Sequence, residues 1–221
     1  MEQKLPVKKS LVVPRLSHLS EINNAGEIAR IMLDTISATP IAVNNWPGQF
    51  PPSPHTDAYL AHDANKIYVL YLTAPDEIRC EVNEDLGPVA DDNCVEIFMR
   101  RPGSPRYWNF EFNFAGHLNA SNRVTRPLAT RLDSKQRAEV GRFVLNPTDF
   151  NLQDSFKLMM LVTIPFSLMD LDLHGIPTLM EANLYSLSEK AAHPYYMTWS
   201  PIVEETEDFH RPEHFGYLIF Q

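Results

Sequence analysis

The chain has 221 residues, 44% of them hydrophobic and 21% charged, with 18 prolines against 8 glycines. That is enough apolar material for a packed core, and it excludes disorder and collagen; a single domain over residues 1–221 is expected, with residues 1–43 packed on it. Nineteen Lys+Arg against 28 Asp+Glu leave a net charge of −9, and the basic residues form no stripe that could follow a phosphate backbone, so nucleic acid is excluded as a partner. The longest apolar runs, such as Leu158 to Pro165, fall far short of the ~20 residues a membrane helix needs, so no membrane partner is expected. The N-terminal stretch MEQKLPVKKSLVVPRLS has no uninterrupted apolar run and no small-residue cleavage site, which predicts a cytoplasmic location if the chain is complete. Cys80 and Cys94 lack CxxC spacing and cannot build a disulfide framework; they read as two half-buried thiols.

Along the chain, Ser20 to Ile36 repeats apolar residues at Ile28, Ile31, Met32 and Ile36, the spacing of a short helix with Ser20 as its N-cap. From there the pattern shifts to period two or to short apolar runs, which predicts strands over Thr56–His62, Lys66–Thr73, Asn93–Arg100 and Tyr107–Phe114. In YWNFEFNF, Trp108, Phe110, Phe112 and Phe114 alternate with Tyr107, Asn109, Glu111 and Asn113, so one face is an aromatic core face and the other is polar. Arg123 to Gly141 is the most polar region and reads equally as a loop, a charged edge hairpin or a helix. Further strands are expected over Lys157–Ile164, Glu181–Leu187, Tyr195–Trp199 and His214–Phe220. Nine to eleven strands bounded by proline, glycine and polar clusters make an all-β fold: a two-sheet antiparallel, jelly-roll-like sandwich with a short N-terminal helix.

Three blocks are more specific. They are Trp46 followed by HTDAYLAHDANKIYVLYLT (His55 to Thr73), DDNCVEIFMR (Asp91 to Arg100) followed by YWNFEFNFAG, and YYMTWSPI (Tyr195 to Ile202) leading to DFHRPEHFGYLIF (Asp208 to Phe220). In this order and spacing the blocks resemble carbohydrate-binding module family 9, a β-sandwich found on some bacterial xylanases and as free-standing bacterial proteins. The resemblance runs from about Asn44 to Gln221 and is carried by Val95-Glu96-Ile97-Phe98, Trp199-Ser200, Phe209, Pro212 and Phe215-Gly216.

The resemblance implies non-catalytic binding of a mono- or oligosaccharide end, with aromatic rings on the apolar sugar faces and polar side chains on the hydroxyl rim. Glu96 matches the family's hydroxyl-accepting carboxylate and Asn113 an amide on the next strand; Glu111 falls where an arginine is usual, Phe209 on a tryptophan platform and Tyr185 on a glutamine. His210 and Arg211, beside Phe209, are placed on the same rim. The second tryptophan of the family's clamp, six residues before Glu96, is Ala90 here, and Glu111 in place of arginine reverses the local charge.

Two carboxylates ~5 to 10 Å apart are also glycosidase geometry, so hydrolysis by Glu96 and Glu111 is the second reading. A sandwich interaction domain without a sugar ligand, suggested by Ala90, is the third. Asp91 and Asp92 with Asn93 could hold a structural calcium ion, although no DxDxDG spacing is present. His210 and His214 are four apart, but Pro212 between them removes the helix that would make the spacing meaningful. Trp108 and Trp199 read as core, and for Trp46 the choice between core and ligand platform stays open. No GxSxG, P-loop or GxGxxG motif supports nucleophilic or nucleotide chemistry.

Overall fold

A computed structural model describes residues 8–50, 54–171, 175 and 178–221. The first seven residues and part of the proline cluster, residues 51–53, lie outside the described residues. In chain order the elements are β1 (Ser10–Val13), α1 (Ala25–Thr35), β2 (Thr39–Pro40), β3 (Val43–Asn44), β4 (Thr56–His62), β5 (Lys66–Thr73), β6 (Cys94–Arg100) and β7 (Tyr107–Asn113). They continue with β8 (Leu118–Arg123), β9 (Ala129–Arg131), α2 (Ser134–Glu139), β10 (Gly141–Leu145), β11 (Leu158–Pro165), β12 (Leu179–Ser188), β13 (Tyr195–Thr198) and β14 (Gly216–Phe220).

The strands form the expected two-sheet sandwich. One sheet runs β10-β11-β5-β4-β2 and the other β1-β14-β12-β6-β7-β8-β9, with β13 and β3 attached beside β12. Strand β12 holds the larger sheet together: β6 lies along one edge, while the other edge pairs Leu179–Ala182 with β14 and Tyr185–Ser188 with β13. The β1–β14 pair is parallel and the others are antiparallel.

Period two decides what fills the sandwich. Leu60, Val69, Tyr71, Met160 and Val162 from the five-stranded sheet meet Val95, Ile97, Phe110, Phe112, Ala120, Met180 and Leu184 from the nine-stranded sheet, all fully or almost fully buried. The remaining parity of the smaller sheet is covered by α1, whose Ile28, Ala29 and Met32 pack on Leu70, Leu72, Met159 and Leu161. That helix starts later than the sequence suggests: Asn24, not Ser20, is its N-cap and accepts from the Glu27 N–H at 3.0 Å, while Ser20 sits in a preceding 3-10 turn.

The outward parity of β6, β7 and β12 is also covered, by a third cluster containing Trp46, Cys94, Phe98, Tyr107, Tyr185, Leu187, Phe209 and Phe215. The polar face of β7 is therefore interior rather than solvated, and Tyr107, Asn109, Glu111 and Asn113 are all buried. Cys94 is fully buried there, whereas Cys80, on the loop before β6, is exposed, so the two thiols are not alike. Trp108 shares the core parity but is only half-buried and packs at the edge of the core. The polar region after β8 combines two of its expected forms, an edge hairpin β8–β9 and the short helix α2, capped by Asp133 and Gln136 in a reciprocal capping box.

Gly216 lets β1, β14 and Trp199 approach one another. A Cβ there would sit 2.7 Å from the Lys9 carbonyl oxygen and 2.7 Å from the buried Trp199 ring, and the backbone cannot yield cheaply. Gly216→Ala should lower the unfolding free energy by about 1–3 kcal/mol. Gly48→Ala, where the methyl meets nothing within 4 Å, should stay within about 0.5 kcal/mol of the parent in the same denaturant titration.

Candidate functional site

The antiparallel register of four neighbouring strands places Tyr185 (β12), Glu96 (β6), Glu111 (β7) and Asn119 (β8) in one row, all facing away from the sandwich core. Ile97, Phe110 and Phe112 claim the other face, so period two alone brings two carboxyl groups side by side. Loops close over this row to form a cleft lined by Glu96 and Glu111 with Ala90, Arg126, Leu187, Glu189, Tyr196, Glu207, Asp208, Phe209 and His210.

The two acids differ in their surroundings. Glu111 accepts from Asn109 Nδ2 and Asn119 Nδ2, each at 2.7 Å, and Arg123 donates through Nε to Asn109 Oδ1 at 2.7 Å. Among the described residues, Glu96, 3% exposed, receives only the Cys94 thiol at 3.9 Å on Oε1, and its Oε2 has no partner. Burial, then the charges of Glu111 and Glu189, push Glu96 well above the ordinary carboxylate range. Burial raises Glu111 as well, but the two amides and Arg123 pull the other way. Both carboxyls are thus held above their ordinary range, Glu111 with two amide donors on its oxygens and Glu96 with almost none.

Aromatic rings form one wall. Phe209 lies flat on Tyr185, centroids 4.2 Å apart at 15°, is tilted 32° to Trp46 at 6.3 Å, and meets the edge of Tyr196 at 5.8 Å. The Tyr185 hydroxyl donates to the Phe209 carbonyl at 3.1 Å, and the Trp46 indole N–H donates to the Glu204 carbonyl at 2.9 Å. Trp46 is thus a buried member of this stack. His210 completes the wall, its Nδ1 2.9 Å from the Tyr107 hydroxyl; burial and the nearby Arg123 and Arg126 lower it to about 3, so it is neutral near pH 7.

Of the ligand-site residues singled out from sequence, the structure brings Glu96, Glu111, Phe209 and His210 into the cleft and leaves Tyr185, Arg211 and Asn113 outside its lining. Tyr185 is fully buried beneath Phe209 and supports that ring rather than facing a ligand. Arg211 turns to Asp208 at 3.0 Å and to Glu204 at 3.8 Å. Asn113 is fully buried, donating to the Val82 carbonyl and to Asp92 Oδ2, each at 2.9 Å, and accepting from the His117 N–H. Asp92 also accepts from the Glu81 and Val82 N–H groups at 2.9 Å, and Asp91 pairs with Lys190 at 2.7 Å. Together with Asn93 and Asn113, these partners clamp the loop before β6. Among the described residues, the side chains grouped closely enough to share a metal ion are instead Glu204, Glu213 and His214, where Glu204 Oε1 already lies 3.1 Å from His214 Nε2.

Tyr196, Arg126, Glu189, Glu207 and Asp208 also line the cleft and were not found from sequence, because they reach it from loops and an edge strand whose course no periodicity specifies. The loop carrying Ala90 is fixed to the one carrying Glu189: the Glu189 N–H donates to the Ala90 carbonyl at 2.8 Å and the Lys190 N–H to the Asp91 carbonyl at 3.2 Å.

In the unfolded chain Glu96 would release its proton near ~4.3, whereas the folded protein holds it to a higher pH. Above ~4.3 the folded state binds the extra proton, so this residue's contribution to stability falls as pH rises and levels off once the folded carboxyl ionises. Glu96→Gln should therefore raise Tm relative to the parent at pH 8 and lose most of that advantage at pH 4, read by thermal unfolding across that range.

A sequence model described as carbohydrate-binding family 9 matches residues 27–220. Among solved structures, a Bacteroides uniformis protein assigned as carbohydrate-binding superposes with TM-score 0.85 at 26% identity, over 97% of this chain and 100% of that one. A family 9 module from Caldicellulosiruptor kristjanssonii in complex with glucose gives TM-score 0.61 at 13% identity over 96% of both chains. A family 9 module from the same organism in complex with cellotriose gives 0.59 at 12% identity, over 96% of this chain and 94% of that one. No curated protein matches the chain. With the match spanning nearly the whole sequence and the sandwich in place, the chain belongs to carbohydrate-binding family 9.

Proposed function

We propose that the protein binds the end of a saccharide in the cleft over β6 and β7, without hydrolysing it. The observation that carries this reading is Glu96 itself: a buried carboxyl with one unpartnered oxygen, at the bottom of a cleft walled by aromatic rings. A sugar hydroxyl supplies the missing partner, and the C–H faces of a pyranose suit the rings. The family match and the glucose and cellotriose complexes of the Caldicellulosiruptor modules support the same ligand class.

Phe209, only 7% exposed, has little open face to offer, and its part is to back the wall with Tyr185 and Trp46. The half-buried Tyr196 is the ring that stays accessible and takes the sugar face. Arg126, Asp208 and His210 serve the hydroxyl rim in place of the arginine whose position Glu111 occupies.

The chemistry at Glu111 favours binding over hydrolysis. Both oxygens of Glu111 already accept amide N–H groups at 2.7 Å, which stabilise its charge and lower the nucleophilicity and basicity that attack, or activation of water, would draw on. Purified protein should release no reducing sugar from oligosaccharides that it binds; turnover abolished by Glu111→Gln would establish the hydrolase instead.

Binding is tested by calorimetric titration with glucose and cello-oligosaccharides. Tyr196→Ala should weaken a saccharide that binds the parent by about tenfold, equivalent to about 1.4 kcal/mol. Unchanged affinity in both Tyr196→Ala and Glu96→Gln would remove this cleft as the binding site.

A further inference from the structure

The charge around the cleft specifies more than a generic sugar. Five carboxyl groups line it, from Glu96, Glu111, Glu189, Glu207 and Asp208, against the single guanidinium of Arg126. Asp208 is engaged by Arg211 at 3.0 Å and by Arg126 at 3.8 Å. Among the described residues, neither Glu189 nor Glu207 belongs to an ion pair, and only the more distant charges of Arg126 and Lys190 act against that of Glu189. At the bottom, Glu96 lines the cleft and its buried Oε2 has no hydrogen-bond partner among the described residues. Neutral hydroxyls satisfy that oxygen but leave the surplus negative charge, while a uronic acid adds to it. An ammonium group supplies both a charged donor and the missing positive charge.

We propose that the preferred ligand is an amino sugar with a free, unacetylated amine, the ammonium seated against Glu96 within the field of Glu111, Glu189 and Glu207. This rests on the saccharide-binding reading and goes further by naming the class of sugar. The excess of five carboxyl groups over one guanidinium among the lining side chains carries it together with the orphaned oxygen of Glu96. The ammonium binds as the charged species, so no covalent step is involved.

The test is a calorimetric titration of the intact protein at a pH where the amine is charged, with glucose, glucosamine, N-acetylglucosamine and glucuronate, and with short cello-, chitosan and chitin oligomers. Glucosamine or the chitosan oligomer should bind at least about tenfold more tightly than the neutral sugar of equal length, and glucuronate should bind most weakly. The preference should shrink as salt is added, because part of it is field rather than contact. Glu96→Gln should reduce the ratio of amine to neutral affinity toward one. Glu207→Gln, at a partly exposed position, should reduce it less and guards against a folding artefact.

Equal affinity for glucose and glucosamine, or tighter binding of glucuronate, overturns the inference and leaves saccharide binding intact. Silence across the whole panel overturns saccharide binding and this inference with it. Stabilisation by calcium alone that Glu96→Gln removes would make the cleft a cation site and overturn it too.

Discussion

The structure depends on the strict two-residue alternation of β6 and β7. Val95, Ile97, Phe110 and Phe112 must point into the sandwich, because they supply the middle of the larger sheet's inner face, and this obligation fixes Glu96 and Glu111 on the opposite face in the same cross-strand row. A one-residue slip would bury both acids in the main core and expose the aromatics. The packing that stabilises the fold thus also sets the spacing of the cleft's two central carboxyls, and neither can drift while the core stays intact.

Placing two acids in one covered row has an energetic cost, and the molecule meets it unevenly. Glu111 is surrounded by amides that themselves belong to the sheet, Asn109 two residues earlier on the same strand and Asn119 directly across, with Arg123 behind them. Glu96 receives almost nothing. A fully satisfied pair would be a rigid but inert piece of interior. Leaving one member unsatisfied retains interaction free energy that a ligand can claim, at the expense of the free protein's stability.

Much of this was legible in the sequence. The alternation in YWNFEFNF and the apolar runs of β5 and β11 are strong signals, and they predicted the sandwich and the shared parity of Glu96, Glu111 and Asn113. Parity alone does not say which end of a strand a cleft occupies. Asn113 has the right face but lies at the last residue of β7, where it serves the Asp92 clamp. Likewise, Phe209 was found as an aromatic beside the site, but its burial against Tyr185 and Trp46 depends on three segments far apart in sequence. Strand β1 escaped notice because four residues beside charged and proline positions carry little periodicity, and its parallel pairing with β14 is a tertiary contact.

The main-chain hydrogen bonds between the loop of Ala90 and that of Glu189 bear on how such a module changes over time. Because backbone atoms hold these walls together, the side chains at both positions can be replaced without rerouting the chain. A bulky ring at one wall, a charge at the other, or neither, are all compatible with one scaffold. Specificity in this architecture is exchangeable by point substitution, and relatives with the same sandwich need not share a ligand.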